Sequence, residues 1–166
     1  LFASEYLQTH GFSHYEISNY ARPNRNSRHN LKYWHGEQYI GVGLSAYSYF
    51  DGVRYGNTRD MREYLLGDMH REDTADTIDR DTEAYEYVML ALRLSEGVSL
   101  GDYRDRFGTD FLIPRRAKID ELIKLGYAEI SGGRFFLTKA LLFPRSICIN
   151  LFLRRERKDY IITICL

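Results

Sequence analysis

Apolar residues at Phe2, Ala3, Tyr6 and Leu7 have helical spacing, which predicts a helix over 2–9 stopped by Gly11. Residues 12–21, FSHYEISNYA, alternate Tyr15, Ile17 and Asn19 against Glu16, Ser18 and Tyr20, then break at Arg22-Pro23-Asn24. That is the pattern of a single strand with a polar pair at its end. Residues 24–37 are polar and aperiodic, so a loop is expected there, although SRHNLKYW (27–34) carries the chain's only tryptophan. From Tyr39 to Phe50 the apolar content predicts a buried strand in which Gly41 and Gly43 permit close backbone approach. Asp51-Gly52 marks a turn, 58–66 reads as a helix, and the acidic stretch 67–79 reads as a loop and domain boundary.

The second half has longer periods. Asp81 or Thr82 can cap a helix with Ala84, Tyr87, Val88, Ala91 and Leu94 on one face and Gly97 as its stop. Ser99-Leu100-Gly101-Asp102 resembles a short capping box and starts a second helix reaching Phe107. Pro114 suits a first helical turn, and the helix beyond it carries Ile119, Leu122 and Ile123 before Gly126. Two strands, 127–130 and 134–138, flank Ser131-Gly132-Gly133 as a hairpin. Three helices followed by a hairpin is the winged-helix pattern. Residues 141–166 mix apolar runs with Arg154-Arg155-Glu156-Arg157-Lys158 and show no capping logic. The expected division is therefore 1–66, a linker at 67–80, a winged-helix-like domain at 81–139 and an atypical tail at 140–166.

Composition narrows the classes. With 166 residues, 44% hydrophobic and 14% aromatic, the chain can bury the core of one domain or two small ones. Lys+Arg and Asp+Glu both number 23, so no global field draws it to nucleic acid or to an anionic membrane. No apolar run reaches the roughly 18 residues of a spanning helix and no signal peptide opens the chain, so a cytoplasmic location and no stable membrane insertion are expected. Cys148 and Cys165 are the two cysteines and form no CxxC pair, which argues against a disulfide scaffold or a structural zinc site. Opening at Leu1 in mid-helix, the sequence reads as the later part of a longer protein.

Four places carry candidate chemistry. Gly41-x-Gly43 could let an adenosine or carboxylate lie against the backbone, or could simply pack closely, since the third glycine of a dinucleotide fingerprint is absent. In SRHNLKYW, His29 could ligate a haem iron or relay protons, Asn30 could fix a polar group, and Tyr33 and Trp34 could flank a flat ring. The alternative is a lid in which the two aromatics plug the end of a sheet. Glu16 and Asn19 are either ligand groups near a strand end or a buried hydrogen-bonded pair. Arg115, Arg116, Lys118 and Lys124 lie where a groove-reading helix would present them, but Asp120, Glu121 and Glu129 neutralise the patch. Nucleic-acid binding is thus not expected, and a stand-alone winged-helix regulator is the competing class.

The strings Tyr15-Glu16-Ile17-Ser18-Asn19-Tyr20-Ala21-Arg22-Pro23, His29-Asn30-x-x-Tyr33-Trp34, Tyr39-x-Gly41-x-Gly43-x-Ser45-Ala46-Tyr47-Ser48 and Gly52-x-Arg54-x-x-Asn57 together resemble the C-terminal half of the HemN/HemW family of radical S-adenosylmethionine proteins. HNxxYW is the most specific and points to the haem-binding HemW branch rather than to the coproporphyrinogen III oxidases. The resemblance runs to about Lys139 and implies the last units of an incomplete (β/α) barrel followed by a HemN C-terminal domain. It implies a haem-binding set of His29, Asn30, Tyr33 and Trp34, with His29 as the iron ligand. It also implies S-adenosylmethionine against Gly41, Gly43, Ser45, Ala46 and Tyr47, where many relatives have histidine in place of Tyr47. The family's [4Fe-4S] cluster is held by a CxxxCxxC motif that these 166 residues lack. The implied partners are haem or a porphyrin and haem-accepting proteins, with a homodimer allowed; oxidative decarboxylation of coproporphyrinogen is the enzymatic alternative. After Lys139 the sequence departs from the family's usual ending, which fits either a reading-frame change or a lineage-specific extension.

Overall fold

The computed structural model describes residues 2–68 and 70–138, with the backbone alone for 70–74. The tail and both cysteines lie outside the described residues. Elements follow in the order α1 (Phe2–Thr9), β1 (Ser13–Glu16), β2 (Asn19–Ala21), α2 (Arg28–Trp34), β3 (Tyr47–Phe50), β4 (Val53–Asn57), α3 (Met61–Leu65), β5 (His70–Thr77), α4 (Arg80–Ala91), β6 (Val98–Ser99), α5 (Leu100–Phe107), a 3-10 turn (Ile113–Arg115), α6 (Arg116–Lys124), β7 (Ala128–Ser131) and β8 (Arg134–Leu137). The fold is mixed α/β, and all described ladders are antiparallel. Two compact units emerge among the described residues: 2–26 with 88–138, and 27–87.

In the first unit, the single strand expected over 12–21 is a hairpin, β1 against β2, with Ser13 opposite Ala21 and Glu16 opposite Asn19. Glu16 makes the reversal: its Oε2 accepts from the Ser18 backbone N–H at 3.0 Å and from Asn19 Nδ2 at 2.5 Å, closing a turn that alternation alone does not reveal. The unit's core gathers Val88, Leu92, Leu94, Val98, Tyr103, Phe107, Phe111, Ile119, Phe135 and Leu137. Its aromatics interlock, with Phe111 5.4 Å from Tyr103 and 5.5 Å from Phe135 between ring centres. Ser99 caps α5 by accepting the Asp102 N–H, as the pattern predicts. The cap of α4 differs from both candidates: Asp79 Oδ1 accepts the Thr82 N–H at 2.7 Å, two residues before Asp81 and three before Thr82. On α6, Ile119 is buried, whereas Ile123, one turn further along the same face, is 40% exposed.

A three-stranded sheet of order β6-β8-β7 closes this unit. Gly132 and Gly133 both have positive φ, as a two-residue hairpin turn requires. A Cβ on Gly97 would lie 2.2 Å from the Phe135 carbonyl oxygen, so only glycine lets the end of α4's apolar run pass beside β8.

The second unit holds a sheet of order β3-β4-β5, with Ser48 opposite Tyr55 and Tyr49 opposite Arg54. Three sequence expectations change here. Residues 24–37 are not all loop, because 28–34 form α2. Residues 39–50 are not one buried strand: only Tyr47–Phe50 pairs as β3, and Ile40 and Val42 are 66% and 86% exposed. Residues 67–79 are not a loop, because β5 pairs with β4, setting Asn57 opposite His70. Acidic side chains in that stretch mask a strand whose ladder is made by the backbone.

Candidate functional site

Seven residues are too few for a helical period to show in the sequence, yet α2 forms because its ends are tied. The Ser27 side chain accepts the Asn30 N–H at 3.3 Å, and at the other end Trp34 is 2% exposed. Trp34 is therefore an anchor for the end of α2 within the unit. His29 and Tyr33 lie one turn apart on the exposed side, with His29 Nε2 3.2 Å from the Tyr33 hydroxyl. Their rings meet edge-to-face, centres 5.0 Å apart at 89°. Tyr33 in turn meets Tyr39 at 4.6 Å and 71°. Asn30 is half-buried, and its backbone serves the cap.

Tyr39 is pinned to β3 by paired backbone hydrogen bonds with Tyr49 of 2.8 and 2.9 Å. Burial raises its phenol pKa; the nearby Arg54 charge opposes that, while Tyr33 and Glu86 add to it. Arg54 forms a two-pronged pair with Glu86, Nη1 to Oε1 at 3.2 Å and Nη2 to Oε2 at 2.6 Å. Burial works to lower the Arg54 pKa, but the hydrogen bonds and charge of Glu86 hold it above its ordinary value. A line of side chains thus runs from exposed His29 through Tyr33 and Tyr39 to a fixed ion pair.

The glycine segment is a stapled loop. Asn57, 5% exposed at the end of β4, donates from Nδ2 to the Gly43 carbonyl at 2.8 Å and to the Gly41 carbonyl at 3.2 Å, and from its backbone to Ala46 at 2.8 Å. Gly41 N–H donates to the buried Ser48 hydroxyl, Gly43 N–H to the Tyr64 hydroxyl, and Ser45 N–H to the Thr58 carbonyl. A Cβ on Gly41 would fall 2.2 Å from the Tyr47 carbonyl oxygen, so this glycine serves the chain's own close approach. At Gly43 a Cβ would meet nothing within 4 Å, leaving open backbone. Ser45 holds φ of 60°, an uncommon conformation for a residue with a side chain. Ser45 and Tyr47 are exposed and Ala46 is half-buried.

Glu16 and Asn19 belong to the other unit. Glu16 is fully buried and receives Arg93 Nε and Nη2 at 3.0 and 2.7 Å besides the Ser18 and Asn19 donors, so both its oxygens are engaged internally. Among the described residues no three His, Cys, Asp or Glu side chains converge as a metal site. Arg54, Glu86, Tyr39 and Asn57 are the residues to which sequence reasoning gave no role. Tyr39, Arg54 and Asn57 stand within the family strings, but Glu86 lies 32 positions beyond Arg54 with no motif linking the two.

The HemN C-terminal domain family matches residues 78–140. Among characterised relatives, a heme chaperone HemW from Bacillus subtilis is 33% identical over 139 residues, covering 80% of this chain and 36% of that protein. A HemW from Lactococcus lactis is 31% identical over 118 residues, covering 70% of this chain and 31% of that one. The mitochondrial radical S-adenosyl methionine domain-containing protein 1 of Danio rerio is 40% identical over 159 residues, covering 81% of this chain and 32% of that protein. The solved coproporphyrinogen III oxidase HemN from Escherichia coli, a radical SAM enzyme, superposes with a TM-score of 0.63 at 15% identity, covering 92% of this chain and 40% of that structure. The chain spans about a third of the length of these curated relatives. The chain is thus similar to HemW proteins over most of its length, with a match to the HemN C-terminal domain at residues 78–140.

Proposed function

We propose that this chain contributes the haem-binding part of a HemW-like radical S-adenosylmethionine protein that binds haem and passes it on to accepting proteins. The observation that carries the reading is the exposed imidazole of His29, presented on α2 beside the ring of Tyr33 and on the open side of a helix anchored by Trp34. Histidine is a common axial ligand for haem iron, and aromatic edges suit a porphyrin face. The names of the HemW relatives agree with it. In this reading His29 binds the iron of the cargo, Tyr33 flanks the ring, Asn30 offers a polar group, and Trp34 holds the helix in place.

The loop from Gly41 to Tyr47 is the part suited to S-adenosylmethionine, because the space beside Gly43 lets a ligand approach the backbone and the exposed side chains of Ser45 and Tyr47 offer hydroxyl groups. Asn57 keeps those groups in place, and its Oδ1 has no hydrogen-bond partner among the described residues. Bound with a [4Fe-4S] cluster, that cofactor supplies one-electron chemistry; cluster-binding cysteines would come from outside these 166 residues. Residues 1–66 in this reading come from the closing part of a partial barrel and 81–138 form a winged-helix-like domain, while the stretch between them carries β5 rather than a free linker. The likeness to the HemN structure over 92% of the chain supports both assignments. It also keeps coproporphyrinogen III oxidation as the second reading, which would require decarboxylation by the full-length protein. A nucleic-acid role is disfavoured by the pairing of Arg116 with Asp120 at 2.9 Å, which offsets part of α6's charge.

Haem titration followed by absorbance tests the reading. Wild type should bind saturably with a shifted haem band, and His29→Ala should lose the shift and bind at least about tenfold more weakly, as expected when an axial ligand is removed. An unchanged spectrum and affinity in the variant would remove His29 from the site and bring porphyrinogen chemistry forward.

A further inference from the structure

The contact between His29 Nε2 and the Tyr33 hydroxyl has a consequence for metal binding, which rests on the haem reading above. A nitrogen can bind iron only through a bare lone pair. If the tyrosine O–H donates, the Nε2 lone pair is already occupied; if Nε2 carries the proton, there is no lone pair to give. In either tautomer Nε2 is closed while the 3.2 Å contact lasts.

Tyr33 is also held where it makes this contact. Its ring packs on Tyr39, Tyr39 is fixed by two backbone bonds to Tyr49, and α2 keeps the histidine and tyrosine one turn apart. We infer that Tyr33 gates the Nε2 atom of His29: haem is ligated through Nε2 only when the hydroxyl has let go, so the apo protein binds its cargo at that nitrogen through a minor, open state. Ligation forms the iron–nitrogen bond and breaks the hydrogen bond; where Nε2 carried the proton, that proton passes to solvent while Nδ1 takes one up, the tyrosine hydroxyl is solvated, and no electron moves. The apparent affinity falls by the open fraction. A net hydrogen bond between neutral side chains corresponds to about a two- to tenfold closed excess, smallest where water competes.

Tyr33→Phe removes the hydroxyl and keeps the ring contacts. In rapid-mixing experiments with hemin and the full chain, Tyr33→Phe should associate about two- to tenfold faster than wild type with an unchanged dissociation rate. A residue that merely supported the fold would slow association or speed dissociation. In the haem-free protein, the His29 Nε2 resonance in 1H–15N spectra should move on Tyr33→Phe. His29→Ala separates the two ideas. If it loses haem while Tyr33→Phe matches or lags wild type, the gate is overturned and the haem reading stands. If it binds haem as wild type does, the haem reading fails and the gate with it. A static Nε2 resonance overturns the gate as well.

Discussion

Glu16 has no exposed surface and keeps four donors, so the cost of disturbing it depends on which partner is lost. Arg93→Ala would strand a buried carboxylate and should destabilise the protein by about 3–5 kcal/mol in urea unfolding. Glu16→Gln combined with Arg93→Met removes the charge along with its counterion and should cost clearly less than Arg93→Ala alone. If the double variant proved the less stable, the pair would be a net source of stability rather than a mutual necessity. At this scale the sequence was half legible. Glu16 and Asn19 stood out as a polar pair close to a strand end, but the guanidinium that meets Glu16 comes from 77 positions later. No local pattern records such a contact.

Short elements tell the same story through their ends. Ser27→Ala should lower stability by about 1 kcal/mol, the usual worth of an N-cap, seen as a drop in melting temperature. The loss should be specific to α2, so circular dichroism in the folded baseline should also fall slightly. Where capping residues and glycines speak locally, as at Ser99 or Gly132-Gly133, the elements were readable in advance. Where tertiary burial decides, they were not. SRHNLKYW reads as a loop because its apolar positions are too few to establish a period, and it becomes a helix because Trp34 finds an interior. The glycine segment misleads in the opposite direction. Its apolar content suggests a buried strand, while positive φ at Gly43 and Ser45 and the hydrogen bonds from Asn57 bend it into a loop. Among the candidate site residues, the exposed ones on α2 and the loop were visible as motifs, whereas the Tyr39, Arg54 and Glu86 scaffolding beneath them depends on the folded backbone.

For the molecule as a whole, equal numbers of acidic and basic residues leave pH stability to individual groups. Tyr39, with its pKa raised first by burial, contributes stability that is fully present below about pH 10 and lost as pH climbs through the raised value. Tyr39→Phe should therefore flatten the alkaline fall in a plot of melting temperature against pH. Asp110 sets the opposite limb: the Ile113 and then the Leu112 N–H groups hold its pKa down, so its contribution is present above about pH 4 and lost as pH drops through the lowered value. Asp110→Ala should soften the acid fall and leave the alkaline one alone. The buried indole of Trp34 also turns the molecule into its own instrument. With a single tryptophan in the chain, emission excited at the red edge of the ultraviolet band, where tyrosine does not absorb, comes from one place, the end of α2, about 7.5 Å along the helix axis from His29. Fraying of that helix should redden the emission, and a strongly absorbing chromophore arriving at the other end should darken it, so the two events can be followed separately without attaching any label.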